Sequence, residues 1–165
     1  MEIEVFKGKV FRVTVEDITP GLRYERVYQR DGVTIFPIVD GRIRLIKKIT
    51  SDNTTPRIRP MSAYVEDGES PLDCARRELA EELGLTAEEW TLFTTTAGEG
   101  GLKKAQYFFV ARGLRPLERS APRDPNEHIF GVADPTYEEV RTRALAGEFG
   151  TGSNAFALLK FVSEQ

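Results

Sequence analysis

The chain has 165 residues, 40% apolar and 30% charged, with a formal net charge of −3 and a pI near 5.4. That length suits one domain with a buried core, and the acidic balance argues against a partner such as duplex nucleic acid, which wants a basic surface. The single cysteine, Cys74, excludes an intramolecular disulfide and speaks against a zinc cluster, while the absence of a signal-like apolar run or a membrane-length segment sets a cytoplasmic expectation.

Residues 2–17 alternate in type around Lys7-Gly8-Lys9 and predict two strands joined by a tight turn. Thr19-Pro20-Gly21 turns the chain into a third strand over 22–29. Arg30-Asp31-Gly32 turns it again into a strand over 33–39, and Asp40-Gly41 is a hairpin signal leading to a returning strand at 42–46. Pro37 lacks the N–H that a ladder needs, which predicts an edge position or a bulge for the outgoing strand. Residues 51–60 are polar, contain Pro56 and Pro60, and read as a loop.

Further on, 90–95 predicts a strand, 97–101 a flexible glycine-rich loop, and 105–111 a central strand because both its faces are apolar. Three prolines mark 113–126 as a long loop before a short strand at 129–132. Asp134 is expected to cap a helix with Pro135 in its first turn, Tyr137, Val140 and Ala144 as its apolar stripe, and Gly147 as its end. Ser153 opens a last helix, apolar at Phe156, Leu158, Leu159, Phe161 and Val162. The order of strands and helices predicts an α+β protein or an αβα sandwich.

The chemistry concentrates between Ala63 and Leu85, AYVEDGESPLDCARRELAEELGL. Ser70 is a helix cap, Pro71 suits the first position, Asp73 faces the positive end of the helix dipole, and Gly84 supplies a left-handed end. Leu72, Ala75, Leu79 and Leu83 make the stripe that packs the helix on a sheet, and Cys74 reads as packed and inert. Glu78, Glu81 and Glu82 fall at i, i+3 and i+4, on one face. A solvated acidic face paired to Arg76 and Arg77 accounts for that cluster taken alone. A site for a hard divalent cation accounts for it too, since Mg²⁺ and Mn²⁺ take oxygen ligands. Arg77 reaching back to Glu69 would pin the loop to the helix and leave the other three glutamates for metal.

The spacing of the whole stretch separates the two readings. Glu69, seven residues, then Arg77-Glu78-Leu79-Ala80-Glu81-Glu82-Leu83-Gly84-Leu85 resembles the Nudix box, G-x5-E-x7-R-E-U-x-E-E-x-G-U, with eight of nine fixed positions matched and Ala63 in place of the first glycine. The resemblance implies a Nudix-type αβα sandwich with a mixed sheet and N-terminal antiparallel strands. It implies Mg²⁺- or Mn²⁺-dependent hydrolysis of a nucleoside diphosphate linked to another moiety. Glu78 and Glu82 would bind the metal, Glu81 would assist, and the Ser62 carbonyl would be a backbone ligand.

Looser likeness outside the box points to the ADP-ribose pyrophosphatase branch. Asp124-Pro125-Asn126-Glu127-His128 matches an acidic loop of that branch, making Glu127 a candidate general base beside Glu99 and Glu81, with His128 an ordinary loop residue. Lys47 and Lys48 are candidates for substrate phosphate, and Tyr28, with Tyr24 and Tyr107, for stacking on a base. The branch also implies a homodimer formed through residues 1–32, with 33–165 as the catalytic core of a single domain. There is no proline between Pro71 and Pro116, where ADP-ribose enzymes often carry one, so an ADP- or GDP-hexose competes as the nucleotide-sugar substrate. The alternative outside catalysis is a nucleotide-sensing module of the same fold.

Overall fold

The structure, a computed structural model, describes residues 1–49, 55–118, 129–149 and 152–165. In chain order the strands before the first helix are β1 (Glu2–Lys7), β2 (Phe11–Thr19), β3 (Leu22–Gln29), β4 (Gly32–Val39), β5 (Arg42–Ile43), β6 (Leu45–Lys48), β7 (Arg57–Arg59) and β8 (Met61–Tyr64). Then come α1 (Pro71–Leu83), β9 (Leu85–Ala97), β10 (Leu102–Lys103), β11 (Ala105–Pro116), β12 (Ile129–Ala133), α2 (Tyr137–Leu145) and α3 (Gly152–Ser163).

The alternating N-terminus folds as a meander of β1, β2 and β3, and β3 pairs in parallel with β10 from the glycine-rich loop. A second sheet has the order β5-β4-β11-β9, with β8 also on β4. A third joins β12, β6 and β7. Side-chain alternation on the two central strands sorts the core into two clusters. Val33 and Ile35 of β4 and Phe109 and Ala111 of β11 pack with Cys74, Ala75 and Leu79 of α1. Phe36, Phe108 and Val110 face the other way, onto Val140 and Ala144 of α2 and Ala157, Leu158 and Phe161 of α3. This is the helix–sheet–helix sandwich that the sequence predicts. Phe161 anchors the second cluster, edge-on to Phe93 at 5.4 Å and Tyr137 at 5.8 Å and tilted on Phe36 at 5.6 Å.

Several expectations are corrected. Pro37 lies in a central strand, not at an edge. On one side β8 pairs β4 only as far as Ile35 and β5 begins at Ile38, so Pro37 falls in the gap, and its carbonyl accepts from the Arg44 N–H at 2.8 Å. The 51–60 loop gives way to β7 from Arg57, the start of the box stretch is strand β8, and β11 continues past the expected loop start to Pro116. The α2 cap is Thr136, not Asp134: Thr136 and Glu139 form a reciprocal capping box, whereas Asp134 makes a two-pronged ion pair with Arg44 at 2.6 and 2.8 Å. Among the described residues no helix is long and apolar enough to cross a membrane.

Candidate active site

Helix α1 begins and ends as its sequence dictates. The Ser70 hydroxyl accepts from the Asp73 N–H at 3.1 Å, and Gly84 takes a left-handed conformation with φ 65°. Its apolar side is buried on β4 and β11, which fixes the direction of its acidic side. Glu78 and Glu82 are 8% and 2% exposed, so this face is not a solvated charge run. Buried carboxylates require charged or hydrogen-bonding partners.

Those partners differ from the expected set. Arg77 does grip Glu69, with Nε 2.9 Å from Oε1 and Nη2 3.1 Å from Oε2, and Glu69 also accepts from the Glu66 N–H. The guanidinium holds the Glu69 carboxyl below its usual range, and Glu69 in turn raises the pKa of Arg77. But Arg77 Nη1 also donates to Glu78, and to Glu81 Oε2 at 3.2 Å, so these carboxylates are not left to metal alone. Lys48 Nζ donates to Glu82 Oε1 at 3.0 Å, with both side chains largely buried. Among the described residues no group of three or more His, Cys, Asp or Glu side chains is gathered for a metal ion. Arg77 thus binds Glu78 and Glu81, and Lys48 binds Glu82.

Beside α1 opens a cleft of about 470 Å³. Lys48, Arg59 and Lys104 bring positive charge to its wall and Glu78 negative charge, while Ser62, Gln106 and Asn154 contribute neutral polar groups. Ser62 comes from β8 and pairs with Thr34 of β4. Ala63, next to it, lies opposite Val33, and Asp40 is the only non-glycine with positive φ among the described residues. The alanine therefore occupies ordinary strand backbone and needs none of glycine's freedom.

The other predicted residues scatter. Lys48 reaches the cleft, but Lys47, its neighbour on β6, lines a different groove with Arg57 and Arg143, as strand alternation requires. Tyr28 lies on the N-terminal sheet, donating to Glu2 at 2.8 Å beneath the Arg12 guanidinium. It lines a separate groove of about 340 Å³ that shares Gln29 with the cleft. Glu99 is exposed in the β9–β10 turn and does not line the cleft. Glu127 and His128 lie outside the described residues. Cys74 is packed as expected, its thiol pushed up to about 12 by burial. Arg59, Lys104, Gln106 and Asn154 were not anticipated. Arg59-Pro60 ahead of the box and Ser153-Asn154 at the last helix were the available signals.

The donor set suits a hard divalent ion. Glu78 and Glu82 present carboxylate oxygens one turn apart on α1, each already beside a cationic side chain, which is the donor chemistry such an ion takes.

A three-layer sandwich with an acid-bearing helix beside a cationic cleft suits a ligand that carries phosphates. The chain belongs to the NUDIX domain family, whose profile matches residues 29–148. It is 27% identical over 161 residues to the ADP-ribose pyrophosphatase of Bacillus subtilis (strain 168), covering 94% of this chain and 86% of that protein. It is 28% identical over 153 residues to the ADP compounds hydrolase NudE of Escherichia coli (strain K12), covering 83% and 82%. A crystal structure of an ADP compounds hydrolase superposes with a TM-score of 0.78 at 23% identity, over 99% of this chain and 90% of that one, a likeness of fold. Nudix hydrolases generally use divalent metal ions.

Proposed function

We propose that this protein hydrolyses the pyrophosphate bond of a nucleotide sugar, with ADP-ribose or a close relative as substrate, releasing a nucleoside monophosphate and a sugar phosphate. The observation that carries this reading is the pair of buried carboxylates on α1, Glu78 in the wall of the cleft and Glu82 bound to cleft-lining Lys48, with Arg59 and Lys104 on the same wall. The names of the two relatives support the choice of ADP-linked substrates.

Glu78 and Glu82 would hold Mg²⁺, or Mn²⁺, with the Ser62 carbonyl as a further ligand. Such an ion neutralises phosphate charge and lowers the pKa of a bound water. The remaining work falls to the chain. Lys48, Arg59 and Lys104 draw in and orient the phosphates. Lys48 also pairs with Glu82 at 3.0 Å. Glu81, which shares Arg77 with Glu78, is our first candidate to accept the proton of the attacking water, and Glu127 in the acidic 124–128 segment is the second. Lys47 and Tyr28, away from this cleft, take no part in our assignment, and neither does Glu99. We place the enzyme in the cytoplasm, as a homodimer.

The test is to incubate the protein with Mg²⁺ and a panel of ADP-ribose, ADP-hexoses and GDP-hexoses and to identify the products. Monophosphate release is expected from wild type and should fall at least ~100-fold in Glu82→Gln, a loss of the size expected when a catalytic charge is removed. Full activity in Glu82→Gln would overturn the metal assignment. Ligand-induced thermal stabilisation without any product would instead favour the sensing module.

A further inference from the structure

Beneath the cleft lies a polar network that the phosphate chemistry leaves unused. Thr34 is fully buried between Val33 and Ile35 on the central strand β4. Its hydroxyl has three partners: Ser62 Oγ at 2.9 Å, Asn154 Oδ1 at 3.1 Å and Gln106 Nε2 at 3.0 Å. A hydroxyl has one proton and two lone pairs. The Gln106 amide donates to it and the Asn154 carbonyl oxygen accepts from it. The single Thr34 proton is thus committed to Asn154, and the Ser62 hydroxyl must donate to Thr34. One buried threonine thereby fixes side chains from β8, β11 and α3.

That accounting also determines what the network offers outward. Ser62, Gln106 and Asn154 all line the cleft. Asn154 retains its amide N–H groups, Ser62 retains lone pairs, and Gln106 retains Oε1 and a second N–H. Gln106 is only 9% exposed, and it is seated against Gly32, where an added Cβ would come within 2.4 Å of Oε1. The surface so formed is uncharged and mixes donors with acceptors. Phosphate would be served by donors and cations alone, and a base by stacking on an aromatic ring, which Tyr64 supplies elsewhere on the cleft wall. A sugar hydroxyl, both donor and acceptor, matches the mixture. The cations that suit phosphates, Lys48, Arg59 and Lys104, line the same cleft.

We propose that Gln106 and Asn154, positioned by Thr34, form the subsite for the hydroxyl-bearing sugar next to the pyrophosphate, and so decide which nucleotide sugars are accepted. This rests on the nucleotide-sugar reading above. Thr34 is a positioning residue, while Gln106 and Asn154 touch the ligand.

Calorimetry on the metal-free full chain separates this from a structural role, with ADP-ribose as one ligand and inorganic pyrophosphate as a hydroxyl-free comparison. Thr34→Val and Asn154→Ala are each expected to weaken ADP-ribose about tenfold while the Kd of pyrophosphate stays within about twofold, the size of one or two lost hydrogen bonds. Thr34→Ser, which keeps the hydroxyl, should restore ADP-ribose binding. Gly32→Ala, whose added Cβ meets Gln106 first, should repeat the selective loss. Equal weakening of both ligands, unchanged ADP-ribose binding, or failure of Thr34→Ser to rescue would overturn the proposal. Monophosphate release by the wild type with Mg²⁺ is measured alongside. Its absence would defeat the hydrolase reading, while the binding comparison would still decide the subsite.

Discussion

Arg77 is the residue on which the acidic helix depends, because it holds Glu69, Glu78 and Glu81 at once. Replacing Arg77 with Met should cost about 1–3 kcal/mol near neutral pH, the range for charge-assisted hydrogen bonds in a partly buried setting. The pH dependence has a definite sign. Arg77 lowers the folded pKa of Glu69 from an ordinary 4.5, so this stabilisation is fully present above that value and is lost as pH falls through the lowered one. Urea unfolding should therefore show a gap between wild type and Arg77→Met that is constant near neutrality and narrows below pH 4.5. A gap of the same size throughout acid would refute the pairing. On activity, Glu81→Gln should lower kcat by about 10²–10⁴-fold if Glu81 is the base, with Glu127→Gln the control for the alternative. The Glu69–Arg77 pair was legible in the sequence because it joins a loop to the helix that follows it. The Lys48–Glu82 pair was not: its partners are 34 residues apart and meet only through packing of β6 beside α1. Thr34 was hidden for another reason, since in sequence it is one more β-branched residue in an apolar strand.

Elements were readable where local chemistry fixes them. β3 and α1 have the expected limits, α1 because cap, first-turn proline, stripe and left-handed glycine all agree. Agreement failed where tertiary contacts choose between local options. Asp134 and Thr136 are both competent caps, and Arg44, between β5 and β6, takes Asp134 away. Thr136→Ala should thus cost about 1 kcal/mol, read as a lower urea midpoint with unchanged slope. Asp134→Asn should leave α2 helicity intact, and loss of helix in that variant would restore Asp134 as the cap. Short strands were the other blind spot. β7 and β8, three and four residues long and separated by Pro60, carry too few positions for alternation to register. Yet β8 seats Ser62 in the cleft and β7 brings Arg59 to it, so the least legible elements supply much of the site.

At the scale of the whole molecule, the N-terminal sheet is the unbalanced part. Every residue of β1 is exposed, and Ile3, Val5 and Phe6 are each more than half exposed, with Phe11, Ile18, Leu22 and Tyr24 adding to the apolar surface. β1 is also an edge strand, with one side of its backbone open to pairing. An exposed strand edge with apolar side chains is an aggregation hazard unless something covers it, and a second copy covering it in the same way on both subunits is the economical solution. Light scattering on the purified protein should give twice the 18.6 kDa chain mass. Ile3→Lys with Val5→Lys should return it to the single-chain mass with unchanged circular dichroism, since neither side chain belongs to either buried cluster. The sheet adjoins the cleft: β3 pairs with β10, Gln29 lines both grooves, and its side chain donates to Tyr64 at 2.9 Å. Separating the subunits should therefore raise KM for the nucleotide sugar more than it lowers kcat, because what is disturbed is a wall of the binding cleft and not the carboxylates of α1. A wild-type protein that scatters as a single chain at every concentration would refute the dimer, and a double variant that loses kcat alone would refute the link between dimer and cleft.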